Sequence, residues 1–157
     1  MKSTIFICTL LLTVSIVFSQ ELTLDSETGK FTNKQLIVVD GFSMEQLYDR
    51  AMEWVESVSL DYKSDPDVIQ YSDRESGKIV CNGNFIMKTG RIRHTLTLIF
   101  REGRYSQAYT DFSYYSSGTE EMAFEEKGAK KKVISEASQK IGQSTESLKK
   151  FLRSDNR

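Results

Sequence analysis

The sequence predicts an α+β domain, an antiparallel sheet of about five strands carrying two helices on one face, in the order β-α-β-β-β-β-α. Three observations lead there. Apolar residues recur at helical spacing through Leu47, Ala51, Trp54, Val55 and Val58, and a second such stripe begins near Lys131. Between the two lie extended runs rich in β-branched and aromatic residues, punctuated by glycine turns. With 157 residues, 39% of them hydrophobic and 27% charged, the chain has the size and composition of one globular domain.

The N-terminus stands apart from that domain. MKSTIFICTLLLTVSIVFSQ places Lys2 before an apolar run from Ile5 to Phe18, short for a bilayer span, and ends in Val17-Phe18-Ser19. Small or branched residues at Val17 and Ser19 suit signal peptidase. The expected division is a signal peptide over residues 1–19 and a single domain over 20–157, periplasmic or secreted, without a membrane span in the mature chain. A retained anchor is the competing reading, disfavoured by length and flanks. Cys8 lies near the start of the apolar run behind Ile7, the wrong place for lipoprotein processing.

The elements follow in order. Glu21 to Lys30 reads as a short strand or loose arm, and QLIVVD after Lys34 as a strand packed on at least one face. Ser43 and Gln46 make a capping box, Phe42 and Leu47 are spaced for a hydrophobic staple, and the spacing predicts a helix from about Met44 to Leu60, ending before Pro66. DVIQYSD is a strand, RESG a turn, and KIVCNGNFIMK one long strand with a bulge or bend at Asn82-Gly83, since a hairpin there would leave two stubs too short to pack. A turn at Lys88-Thr89-Gly90 leads into RIRHTLTLIFR and RYSQAYTDFSYY, a hairpin around Glu102-Gly103. SSGTEEMAFEEKGAKKK reads as a solvated connection, and the stripe Ile134, Ala137, Ile141, Leu148 and Phe151 or Leu152 as a C-terminal helix interrupted by Ser144 and Thr145.

That hairpin holds the only histidine, and its register decides what His94 meets. A two-residue loop pairs Arg101 with Arg104 and puts His94 opposite Asp111, the beginning of acid–base chemistry. A type I′ turn of that length needs positive φ at both central residues, which Glu102 resists. A three-residue loop asks it of Gly103 alone, and is the expected form. Phe100 then pairs with Arg104, Arg93 faces Asp111 as a surface ion pair, and His94 faces Thr110 as a histidine at the rim of the core. In this register Ile92, His94, Leu96, Leu98 and Phe100 share the helix side with Ser106, Ala108, Thr110 and Phe112. The opposite side shows Arg93, Thr97, Ile99, Tyr105, Gln107 and Tyr109, the candidate partner-binding face.

Little else points to chemistry. The mature chain keeps Cys81 alone, with no neighbouring base to activate it, so a small hydrophobe in a strand is expected rather than a nucleophile or a dimer link. One histidine and one cysteine cannot build a histidine-rich zinc site, and phosphate-loop and G-x-S-x-G patterns are missing, so no catalytic, metal or cofactor residue is assigned and no cofactor is expected. Without Lys2 the chain carries 20 basic and 22 acidic side chains, and neither that balance nor an exported destination suits nucleic acid.

The element order is similar to one repeat of the TATA-binding-protein fold. S-M-E-Q-L-Y-D-R-A-M-E-W at 43–54, V-I-Q-Y-S-D-R-E-S-G-K-I at 68–79 and R-E-G-R-Y at 101–105 resemble an exported Bacteroidota family described as a domain of unknown function with a TBP-like fold. The resemblance covers about residues 30 to 152. It implies the fold and supplies no activity or catalytic residues, because fold and function are separable. The sequence-level expectation is thus a non-catalytic binding or assembly module of the envelope that meets an unknown protein or small ligand, or another copy of itself as a homodimer. The alternative is a small periplasmic enzyme without metal or nucleotide cofactor.

Overall fold

The structure, a computed structural model, describes residues 21–59, 61–62, 67–88, 90–116, 122–124 and 131–154. The expected signal peptide, the helix end at Leu60, Pro66, Thr89 and most of the charged stretch after Ser116 lie outside the described residues. The elements are β1 (Thr23–Leu24), β2 (Phe31–Val38), α1 (Met44–Glu53) running into a π turn (Trp54–Val58), β3 (Ile69–Asp73), β4 (Lys78–Met87), β5 (Gly90–Arg101), β6 (Arg104–Ser116), β7 (Met122–Ala123) and α2 (Lys131–Arg153). The sheet runs β1-β2-β6-β5-β4-β3, with β7 beside β6, and every pair is antiparallel. The expected strands are present as β2 to β6, and two strands of two residues each extend the sheet.

The helix start is the predicted one. Gln46 N–H donates to Ser43 Oγ at 3.3 Å and Ser43 N–H to Gln46 Oε1 at 2.9 Å, closing the capping box. Leu47, Tyr48, Ala51, Trp54 and Val55 are buried along one stripe. The α ladder ends at Glu53, short of the expected Leu60, and Ser59 N–H donates to the Trp54 carbonyl at 2.9 Å. A π turn carries one inserted residue, and the chain leaves it with Ser59 and Tyr62 buried.

In α2 the expected apolar residues Ala137, Ile141 and Leu148 are buried with Leu152, and Ser144 and Thr145 face inward with them. The two helices lie on one face and are tied together. Trp54 Nε1 donates to Ser147 Oγ at 3.1 Å, and the Arg50 guanidinium donates to the Leu152 carbonyl at 2.8 Å and to that of Ser154, meeting the carbonyl end of α2 with a cation. Below them the sheet contributes Ile79, Cys81, Phe85, Ile92, Leu96, Leu98, Phe100, Tyr105 and Tyr109 to one core. Cys81 is the buried small hydrophobe expected, its thiol pushed up to about 12 by burial.

β4 is a single strand through Asn82-Gly83, paired with β5 without a break from Lys78↔Ile99 to Met87↔Gly90. The irregularity lies instead between β3 and β4, at Ile69–Tyr71. Glycine is required at 83 for space, because a Cβ there would stand 2.3 Å from the Tyr62 ring and 2.8 Å from His94 Nε2. Phe124, read from sequence as part of a solvated connection, is 2% exposed and packs edge-on to Phe31 at 5.5 Å and against Phe112 at 5.6 Å.

Candidate functional site

The β5–β6 hairpin overturns the expected register. Arg101 pairs with Arg104 around a two-residue turn, and Phe100↔Tyr105, Leu98↔Gln107 and Leu96↔Tyr109 follow. The turn avoids the type I′ requirement: Gly103 takes positive φ (68°) and Glu102 does not. Tyr105, Gln107 and Tyr109 therefore point under the helices and are 0, 2 and 1% exposed. They leave the candidate face, on which Arg93, Thr97 and Ile99 remain.

The slip corrects itself at Asp111. This residue has φ 52° and, with Phe112, stands against His94 alone, between the pairs Thr95↔Thr110 and Arg93↔Ser113. Such a bulge resets the alternation of β6, which is why Phe112 is buried although Tyr109 is too. Arg93 faces Ser113 rather than Asp111, and His94 faces the bulge rather than Thr110. Asp111 is exposed and pairs with Lys30 Nζ at 3.2 Å.

His94 is wholly buried, not at a rim. Its ring stacks on Phe85 at 4.0 Å between centroids, and Nε2 shares a hydrogen bond of 2.9 Å with the Tyr62 hydroxyl. Burial pushes its pKa down to about 3, so the ring is neutral. Burial also holds the Tyr109 phenol up to about 12 and raises Tyr62 and Tyr105. Beside them Gln107 Nε2 donates to Thr145 Oγ1 at 2.7 Å, and Thr145 donates to the Ile141 carbonyl at 2.8 Å. These groups form a sealed polar seam whose members keep their neutral forms near pH 7. A recess of about 280 Å³ opens between the π turn and α2, lined by Trp54, Asp61, Lys140, Ser144 and Ser147 among others. Burial raises the Asp61 carboxyl there, with Lys140 opposing. Among the described residues no group of three or more His, Cys, Asp or Glu is placed to hold a metal ion, and no helix is long and apolar enough to cross a membrane.

The face turned away from the helices is different in kind. Ser106 and Ala108 of β6 floor a shallow trough of about 350 Å³, walled by Leu36 of β2 on one side and Thr97 and Ile99 of β5 on the other. The trough is low because its central strand carries small side chains where its neighbours carry branched ones. Leu36 and Val38 are 65 and 52% exposed beside it, and Ile86, 67% exposed, lies farther along the same face opposite Arg91. Lys34, Arg104 and Arg93 project on the same side, as the β2–β6 and β5–β6 pairings require. This surface can offer aliphatic contact, hydroxyls and positive charge. The β2 contribution was missed from sequence, although the alternation Lys34, Leu36, Val38 against Asn33, Gln35, Ile37 carries it.

A sheet with two helices over one face and the other face bare is the TBP-like α+β architecture. Residues 34–115 match the family described as a domain of unknown function (DUF4468) with TBP-like fold, and the chain belongs to that family. Two crystal structures share the fold. A DUF4468 family protein from Bacteroides ovatus has a TM-score of 0.68 at 17% identity, over 88% of this chain and 96% of its own. A TBP-like protein from Parabacteroides distasonis has a TM-score of 0.68 at 12% identity, over 83% of this chain and 97% of its own. No curated protein matches the chain.

Proposed function

We propose that the protein is an exported, non-catalytic binding or assembly module of the bacterial cell envelope, and that the open sheet face is its contact surface. The observation that carries this reading is the trough over Ser106 and Ala108 with Leu36 and Val38 exposed beside it. Contiguous exposed aliphatic side chains rimmed by polar ones mark interaction sites more often than scattered ones do. The hydroxyl, amide and imidazole groups that could support catalysis in the core are sealed beneath the helices. Export is supported by the N-terminal apolar run and its cleavage pattern.

The test is site-specific photocrosslinking in intact cells. A benzophenone side chain at Leu36 or Thr97 is expected to give a discrete adduct, and one at Glu53, on the outer side of α1, is expected to give none. Adducts from Glu53 alone, or none from either sheet position, would contradict the proposal.

A further inference from the structure

Resting on that reading, we infer that the occupant of the open face is an acidic polypeptide segment that also presents aliphatic side chains. The chain as a whole has a formal charge of −1, yet the open face gathers six cations, Lys34, Lys78, Arg91, Arg93, Arg101 and Arg104. Asp73 is the acid in register with them, opposite Lys78, and Asp111 at the bulge is already engaged by Lys30. Four of the six cations have local work: Lys34 lies 3.5 Å from Asp25, Lys78 sits over the Tyr71 ring at 5.6 Å, Arg91 over Tyr115 at 4.5 Å, and Arg101 donates to the Ser76 carbonyl at 2.9 Å. Arg93 and Arg104 are exposed and make no ion pair among the described residues.

Charge selects among occupants. A second copy docked face to face would set these cations against their own images, and like charges across an interface oppose association. An anionic bilayer matches the charge, but its broad surface would leave the trough floored by Ser106 and Ala108 unfilled. A phosphate backbone matches the charge too and leaves Leu36, Val38 and Ile86 without apolar partners. A peptide ridge fits both features. Its aliphatic side chains fill the trough floored by Ser106 and Ala108, and its carboxylates reach Arg104 and Arg93, bidentate in the geometry arginine favours.

The experiment uses the mature protein, isotopically labelled, with four probes: a 12-residue peptide of glutamate and leucine, its glutamine–leucine counterpart, phosphatidylglycerol vesicles and a short DNA duplex. The inference predicts that the glutamate peptide binds, with amide shifts centred on Leu36, Ile99 and Ala108. Affinity should fall by about tenfold or more in Arg93→Glu/Arg104→Glu, and again as salt rises, the mark of charge-guided contact at an exposed site. Both substitutions are at exposed positions, and a spectrum otherwise unchanged shows that the variant is folded. Equal binding of the glutamine peptide at the same residues would overturn the acidic chemistry and leave the face as the contact surface. Shifts confined to the helices would overturn both readings. Tighter binding of vesicles or DNA than of the glutamate peptide, or binding of no probe, would overturn the acidic-polypeptide occupant.

Discussion

The Tyr62 hydroxyl and His94 Nε2 stand 2.9 Å apart inside the core, from positions 32 residues apart in the chain, and Gly83 passes so close beneath them that no side chain fits. Tyr62 in the segment beyond the π turn, the strand β5 and the strand β4 are thereby fixed to one another. Gly83→Ala should destabilise the protein by about 1–3 kcal/mol, because the added carbon must push an aromatic ring that is packed on every side. Urea unfolding measures it. A change under about 0.5 kcal/mol, the range of ordinary surface substitutions, would show that the Tyr62 ring is not seated there.

The same pair gives the fold a pH dependence of known sign. Burial holds the folded His94 pKa down to about 3, against 6.5 in the open chain. The unfolded state therefore takes up the proton first, and stability is lost as pH falls from about 6.5 toward about 3, by up to about 1.4 kcal/mol per unit, with no contribution above that window. Unfolding free energies at pH 7.5 and pH 5 should differ more for the wild type than for His94→Gln. Equal losses in both proteins would show that the ring is hydrated.

Gln107 and Thr145 make a buried cross-layer bond, at 2.7 Å, where the sheet meets α2. Thr145→Val should cost about 1–3 kcal/mol, since it strands a buried amide. Adding Gln107→Leu should recover most of that loss, because removing both partners removes the unmet group. A double variant as unstable as the sum of the singles would mean that the two side chains act independently.

At Asp111 the backbone has φ 52°, a conformation asparagine, aspartate and glycine tolerate and a β-branched residue does not. Asp111→Val is expected to cost about 1–3 kcal/mol and Asp111→Gly very little. The ion pair to Lys30 is over half exposed at both ends, so Lys30→Ala should change stability by less than about 1 kcal/mol. Thermal melts of the three variants separate backbone from charge. Equal damage from valine and glycine would place the role of Asp111 in its carboxylate.

Much of this fold is legible in the residues. The Ser43–Gln46 box, the stripe through Leu47, Ala51 and Trp54, the unbroken β4 and the α2 stripe all follow from local rules of spacing and capping. What local rules miss is long-range. Nothing near Glu102 shows that a two-residue turn can place positive φ on Gly103 alone, and that one slip moved Tyr105, Gln107 and Tyr109 to the wrong side of the sheet. Apolar sorting concealed the error, since Ser106, Ala108 and Thr110 are small enough to suit either side. The Asp111 bulge then restored Phe112 to its expected place for a different reason. Ser144 and Thr145 look like gaps in an apolar stripe until Gln107 is found across from them. Arg93, Thr97 and Ile99 were placed on the open face correctly, but the near-neutral composition averages away the cations gathered around them.

All of the functional reading needs the tyrosine side of β6 sealed and the Thr97–Ile99 side of β5 bare. Nitration of the folded protein, read residue by residue by mass spectrometry, examines this directly. Tyr71, 48% exposed, should be modified readily, while Tyr62, Tyr105 and Tyr109, each 0–1% exposed, should stay unmodified until denaturant is added. Prompt nitration of Tyr105 or Tyr109 in the native protein would put the helices on the other face and remove the surface on which the proposed partner docks.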